Sequence, residues 1–444
     1  MHTMNVKIYC KEAILLARLL ERHEQGGHLM DTKALRNKFD RKTIFSPFVL
    51  QLLFIMFLVE FVKGALIITL LPVYMVNVLG VTALVVGWTL AVQYLGDNLL
   101  RTPIGWVIDH FGYRVSMLTG VLLTFSSVAI IALTSNFYWI IVACAFLGIG
   151  TAPLWPCVII GTTEVAGEKS RGTIMSVVYV AWLSGVGLGP VTITYFIENN
   201  DYNAAFHLMI GFMAVVVLIA IFLPGKKKQL PSQANITKQK REHGSSRIIR
   251  MKRYLQEVRR SVTVSPILFP AMFAQTFALG LLTPVLTLYA TKVLELTGAQ
   301  FRYFLLAGGL VTVLFMIPIG KLVDLFGTRW FLHIGFLLSS AVLLIFTYAG
   351  SLPLLYLLVV LLGIGYAFII PSWNALLADA IPPERRGAVW GFFLTIEGIG
   401  TTIGPIVSGM LWDGLGPHAP FVGSGVVMFL LFLVHLYIAY KKSP

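Results

Sequence analysis

The sequence predicts an all-α polytopic membrane protein, with twelve transmembrane helices in two parallel-repeat six-helix bundles. Three observations carry that prediction. Of the 444 residues, 57% are hydrophobic and only 12% charged, with a mean hydropathy of +0.82. That is about half the charge of a soluble domain. Twelve apolar runs each approach the roughly 20 residues that a helix needs to cross a bilayer core. A set of polar landmarks recurs 215 residues further along. The composition excludes a soluble enzyme, a disordered chain and a secreted disulfide scaffold. Cys10, Cys144 and Cys157 form no zinc or redox spacing, and the latter two read as inert packing residues.

The runs fall near 48–73, 81–103, 115–134, 137–161, 173–196 and 205–223, then near 266–290, 301–319, 331–349, 352–377, 388–411 and 419–440. This divides the chain into a basic N-terminal extension (1–47), a first bundle (48–223), a basic linker (224–265), a second bundle (266–440) and a short tail (441–444). With the N-terminus inside, the inner segments carry 30 of the 34 Lys and Arg residues. Both termini are therefore expected in the cytoplasm of a cell-membrane protein. No cleavable signal peptide is expected, because the first long apolar run starts too late. Residues 8–20 can form an amphipathic helix on the inner leaflet, and Met30 offers an alternative start.

The net charge is +14 and the pI near 9.7. Nine bases lie in 1–47 and twelve in 224–264, including Lys226, Lys227, Lys228, Arg259 and Arg260. Because these clusters flank apolar runs, they point to anionic membrane lipids and not to nucleic acid.

The repeat is the most informative feature. Gly105, Asp109, Phe111, Gly112 and Arg114 recur as Gly320, Asp324, Phe326, Gly327 and Arg329. Pro103 recurs as Pro318, Gly148 and Gly150 as Gly363 and Gly365, and Glu164 as Asp379. Arg171-Gly172 matches Arg386-Gly387, and Gly189-Pro190 matches Gly404-Pro405. Six spans per copy is an even number, so the halves enter the membrane with the same polarity about an axis along its normal. In each copy the glycine lets a helix end approach a neighbour. The Asp accepts bonds from helix-end amides and pairs with a base across the bundle. Arg114, Arg329, Arg171 and Arg386 are the candidate partners. Such a cluster is a gate that closes in one state and opens in the other; the plainer alternative is a set of charges holding loops in water.

These motifs resemble the major facilitator superfamily, whose inner-loop motif is Gly-x3-Asp-[Arg/Lys]-x-Gly-[Arg/Lys]-[Arg/Lys]. The chain departs from it at His110, Tyr113 and Leu325. Gly185-Val-Gly187-Leu-Gly189-Pro190 resembles the glycine-proline motif of its drug/proton antiporters, without the closing glycines; Gly398, Gly400, Gly404, Pro405 and Gly409 look similar in the second half. The resemblance covers about residues 48–440 and implies a helix-packing role for these residues. Many proton-coupled drug antiporters of the superfamily carry an Arg in the fourth span, whereas 137–161 contain none.

Ionisable groups inside a membrane are functional candidates by default. Glu60 and Lys63 lie three apart on one face of the first span, Asp97 and Arg101 four apart on the second. Glu397 lies in the eleventh span and His207 near the outer start of the sixth. At the 215 offset, Gln275 and Ala278 answer Glu60 and Lys63, and Trp182 answers Glu397. Glu60 is the first candidate for proton coupling, since burial and a nearby base together can set a carboxyl to titrate in the working range. A permanent Glu60–Lys63 pair is the structural alternative. Asp97 with Arg101 fits a gate as well as proton transfer. Trp88, Tyr94, Trp155, Tyr179, Trp182, Tyr289, Tyr366, Trp373, Trp390 and Phe393 are candidate cavity walls, although most aromatics in such a protein pack helices. Pro153, Pro156, Pro371 and Pro405 are expected to interrupt helices, and Asn374 to face the cavity.

The leading reading is a secondary transporter, a proton-coupled exporter of small hydrophobic or cationic compounds, working as a monomer without cofactor or metal and not an enzyme. The alternatives are a flippase for a lipid-linked or glycolipid cargo, which needs an amphiphilically divided cavity, or a metabolite permease. A non-transporting receptor or scaffold is the reading from a different class. No nucleotide-binding loop is present, which argues against a primary pump.

Overall fold

The computed structural model describes residues 46–166, 171–224, 267–379 and 386–441. The stretch 8–20, Cys10, Met30, most of the basic linker and the last three residues lie outside them. Among the described residues the regular structure is helical throughout. The first half comprises α1 (Pro47–Asn77), α2 (83–110), α3 (Phe111–Leu133), α4 (137–166), α5 (Arg171–Glu198) and α6 (Tyr202–Ile221). The second comprises α7 (Leu268–Lys292), α8 (Gly298–Phe326), α9 (Arg329–Phe346), α10 (Leu352–Asp379), α11 (Arg386–Leu415) and α12 (Ala419–Lys441). Eleven of these are long and apolar enough to cross a membrane. The twelfth, α2, has its apolar run interrupted by Asp97 and Arg101.

In hydrocarbon the backbone must bond to itself, so helices are the available spanning form. Their exposed starts are capped by short polar side chains: Thr82 accepts from the amide of Val85, Asn136 from Tyr138 and Asp201 from Ala204, while Thr297 and Gln300 form a reciprocal capping box. Pro153 does break α4, between Thr151 and Leu154, and Pro156 sits in the next first turn, where its missing N–H is harmless. Pro371 and Pro405 do not break their helices. In a packed membrane bundle neighbouring groups absorb the one lost hydrogen bond.

The repeat is visible in the backbone. Gly112 turns the chain between α2 and α3 at φ 81°, ψ 171°, and Gly327 turns it between α8 and α9 at φ 80°, ψ 170°. Helix contacts repeat too. Gly148 of α4 lies against Gln93 and Asp97 of α2, and Gly363 of α10 against Gly308 and Thr312 of α8. Gly150 meets Gly120 and Thr124 of α3, and Gly365 meets Gly335 and Ser339 of α9. All four pairs keep the 215 offset.

The first helix departs from it. Gly185 of α5 meets Phe57, Glu60 and Phe61; Gly400 of α11 meets Phe273, Thr276 and Phe277. The offset there is 216. The counterpart of Glu60 is therefore Thr276 and not Gln275, and Lys63 is answered by Leu279 and not Ala278. The offset returns to 215 by Thr82 and Thr297, the starts of α2 and α8. Between these points α1 contains a wide π turn, Ala65–Leu70, one turn before Pro72. A π turn accommodates one extra residue in a helix, which accounts for the shift.

Within the halves, α1 packs on α5 and α6 as α7 packs on α11 and α12; between them, α2 packs on α11 and α5 on α8. Substituting Ala at Gly112 or Gly327 should cost about 1–3 kcal/mol, since few residues tolerate that backbone region. Gly350, in an open loop, is the control. Thermal unfolding in detergent should show Gly112→Ala and Gly327→Ala shifted down and Gly350→Ala unchanged.

Candidate functional site

The three-residue spacing on α1 points Glu60 and Lys63 to one side. Both carboxylates of interest are nearly inaccessible, Glu60 at 2% and Asp97 at 3% exposure. Lys63 Nζ lies 2.8 Å from Asp97 Oδ2 and 3.9 Å from Glu60 Oε1. The sequence suggested pairs within each helix, but the shortest contact runs between helices. A lysine stem reaches across a helix contact, and Gly148 lets α4 press behind the turn bearing Asp97. The Arg101 side chain lies outside the described residues.

The second half contributes Glu397 from α11. Its Oε1 accepts from Trp373 Nε1 of α10 at 3.2 Å, and its backbone carbonyl accepts from the Thr276 hydroxyl of α7 at 2.8 Å. Glu60, Lys63, Asp97, Asn98 and Glu397 line a cavity of about 280 Å³, with the rings of Tyr94, Trp155 and Trp182. Trp155, Tyr179 and Trp182 pack on one another with centroids 5.6–6.2 Å apart.

A second cavity of about 300 Å³ adjoins the first; Ile68 and Val186 line both. Its walls include Phe304, Leu343, Phe346 and Phe421, and no charged or polar side chain is among them. Gly309 faces open space there. Each cavity sits near the lower end of the roughly 300–1,000 Å³ typical of small-molecule sites. What distinguishes them is their opposite chemistry side by side.

The other expected residues distribute as follows. Arg114 and Arg329 are exposed, beside the Gly112 and Gly327 turns. The side chains of Asp109, Asp324, Arg171, Arg386, Glu164 and Trp390, and the surroundings of Gly105, lie outside the described residues; Gly320 is half-buried. Gly189 lies against Phe61 and Ala65, and Gly404 within 2.7 Å of Gly280 for an added Cβ, while the Pro405 carbonyl lies against Gly87. Of the candidate cavity walls, Tyr94, Trp155 and Trp182 line the charged cavity, Tyr179, Tyr366 and Trp373 line neither cavity, and four more are corrected. Trp88 is exposed. Tyr289 packs against Phe421 and bonds His418 at 2.8 Å. Phe393 is buried beside Phe269, and Asn374 is exposed and lines neither cavity. His207 is also exposed, its Nδ1 2.6 Å from the Asn203 carbonyl. Their positions along the chain gave depth but not rotation about the helix axis. Asn98, Thr276 and Thr401 line the charged cavity and were missed; the 216 offset from Glu60 points to Thr276.

A family model described as Major Facilitator Superfamily matches residues 52–266 and 268–444. The chain is 26% identical over 391 residues to the "Proton-coupled antiporter flippase LtaA" of Staphylococcus saprophyticus, covering 86% of this chain and 91% of that protein. It is 27% identical, with the same coverage, to the protein of that name from Staphylococcus aureus. Among solved structures, the nucleoside transporter NupG aligns over 90% of this chain and 100% of its own, with TM-score 0.64 and 15% identity. A POT family transporter in complex with 5-aminolevulinic acid aligns over 89% and 96%, with TM-score 0.69 and 16% identity. These two establish likeness of fold.

Removing one partner of a buried ion pair typically costs about 3–5 kcal/mol. Lys63→Met should therefore destabilise strongly, and adding Asp97→Asn should recover part of the loss. Unfolding midpoints of the two variants against the parent provide the check.

Proposed function

We propose that this chain, which belongs to the Major Facilitator Superfamily, is a proton-coupled antiporter that flips a lipid-linked, glycolipid-like cargo by alternating access. The carrying observation is the pair of adjoining cavities, one charged and tryptophan-lined, the other apolar. An amphiphile presents the membrane with two problems. Stripping water from each polar group costs roughly 2–7 kcal/mol unless a hydrogen-bond partner replaces it. Exposing the tail to water costs about 0.8 kcal/mol per methylene. A divided site answers both. Glu60, Asp97 and Glu397 accept from hydroxyls, Lys63 and Asn98 donate, and the faces of Trp155 and Trp182 cover the apolar side of a sugar ring. Phe304, Leu343 and Phe346 receive a tail. The flippase and antiporter function for which the staphylococcal relatives are named supports the same reading.

Proton coupling follows from the shared ammonium. Lys63 pairs with both Asp97 and Glu60. A head group whose hydroxyls donate to these carboxylates takes up the oxygens that a proton would occupy. Cargo and proton then compete for one site, as exchange requires. The Asp109 and Asp324 loops, with Arg114, Arg329, Arg171 and Arg386, serve as the gate on the basic side, with both termini in the cytoplasm. Three acids around one cavity favour a second reading, export of small cationic compounds.

The test uses vesicles containing the protein and a fluorescent diglycosyl diacylglycerol, with dithionite quenching reporting leaflet exchange. An imposed proton gradient should accelerate exchange, and Glu60→Gln or Asp97→Asn should reduce the acceleration at least about tenfold, the effect of losing roughly 1.4 kcal/mol of coupling. Gradient-driven movement of tetraphenylphosphonium with no lipid exchange would reject the flippase in favour of the second reading. Separately, Gly309→Leu, which fills the apolar cavity, should slow lipid exchange while leaving thermal stability near that of the parent.

A further inference from the structure

The end of the bundle away from the basic loops carries two matched carboxylates. Asp413, near the end of α11, accepts from the backbone amides of Ala83 at 3.2 Å and Leu84 at 2.8 Å. These are the first two residues of α2. Thr82, which caps α2, takes the next amide, that of Val85. Three of the four amides that a helix start leaves unpaired are thus held, two of them by the opposite half of the molecule.

The repeat reproduces this arrangement. At the 215 offset Asp413 answers Glu198, Ala83 answers Gly298, and Thr82 answers Thr297. Glu198 ends α5, and Gly298 begins α8. The Glu198 carboxylate lies so close over Gly298 that an added Cβ would be 2.6 Å from its Cδ. Its Oε2 is 2.9 Å from Arg302 Nη1 in the first turns of α8, and the Arg302 guanidinium lies 5.9 Å from the Tyr195 ring centre. Each half thus extends a carboxylate from the end of its fifth helix to the start of the other half's second helix. Negative charge is favoured there by the helix dipole.

We propose that Glu198 and Asp413 form a paired latch that holds this face closed, and that opening it requires both carboxylates to leave their helix starts. Local capping does not account for the arrangement. Thr82 and Thr297 already cap α2 and α8 from within their own chain segments, so a second acid from the other half acts on the contact between halves. The two latches differ in attachment: Asp413 binds backbone amides, whereas Glu198 pairs with Arg302, which stands where the first half has Gly87.

The test is a distance measurement between spin labels at Ser135→Cys and Ser351→Cys, both exposed at this face in opposite halves. The three native cysteines are replaced beforehand. The Glu198→Gln/Asp413→Asn variant should raise the open-to-closed ratio about fivefold, the scale of charge–dipole contacts. Arg302→Gln, which leaves Asp413 in place, should give a smaller shift. Glu198→Asp/Asp413→Glu should stay near the parent. An unchanged distance distribution in the double variant overturns the latch, whether or not its melting temperature falls, since a fall alone marks ordinary caps. If the double variant does not fold, Arg302→Gln decides: no shift in that variant overturns the proposal. The readout needs no cargo, so it stands apart from the flippase test.

Discussion

A charge placed in the hydrocarbon layer must find a partner, and the Lys63 ammonium between Asp97 and Glu60 meets that constraint. The surrounding packing serves it. Gly148 brings α4 to the backbone of Asp97, and Gly185 brings α5 to within 3.2 Å of the Glu60 Cβ for an added methyl. Each acid is therefore backed by a neighbouring helix at a glycine. That close approach excludes lipid and water behind the carboxylates and leaves the cavity as their open side. A larger residue at either glycine would move the acid-bearing turn and not merely fill space.

The same glycines in the second half press on hydroxyls. Gly400 meets Thr276 and Gly363 meets Thr312, at the positions equivalent to Glu60 and Asp97. Each threonine spends its proton inside its own half, Thr276 on the Glu397 carbonyl and Thr312 between the carbonyls of Gly308 at 2.8 Å and Gly363 at 3.1 Å. Repeated architecture has thus been given unequal chemistry. One half holds ionisable groups at these turns, while the other holds hydroxyls bonded within that half, adds Glu397 from α11 and supplies most of the apolar cavity. An amphiphilic site arises at the junction, where the π turn of α1 departs from the repeated backbone and its Ile68 borders both cavities.

How much of this could be read from the sequence depended on what repeats. The 215 offset located the Gly112 and Gly327 turns, and it contained the Glu198–Asp413 relation, although acids at loop edges gave no reason to look there. The polar composition of α1 and α2 marked Glu60, Lys63 and Asp97, but spacing along one helix could not reveal that Lys63 turns to the neighbouring helix. Rotation decided the aromatics: Trp155 and Trp182 line the cavity, whereas Trp88, equally apolar in its surroundings, faces outward. The Thr276 match was hidden by the extra residue in the π turn of α1, which leaves apolar sequence on both sides and no compositional trace.

Alternating access also limits where polar bonds between halves can be placed. Any bond that breaks must be replaced, and only water or cargo can replace it. The described polar contacts across the halves follow that rule. Asp413 with Ala83 and Leu84, and Glu198 with Arg302, lie at an exposed end; Asn98 with Thr401 lines the charged cavity. The Thr287 hydroxyl reaches the Ile68 carbonyl at 2.7 Å. The regular helical donor to that carbonyl, four residues on, is Pro72, which has no N–H, and Ile68 borders both cavities. Between these points α2 and α11 meet through Gly87, Pro405 and Gly409, backbone against backbone. Contacts of that kind hold tightly while closed and strand no buried hydrogen-bonding group when they part. The interface is therefore dry and close where nothing can replace a lost bond, and polar where something can.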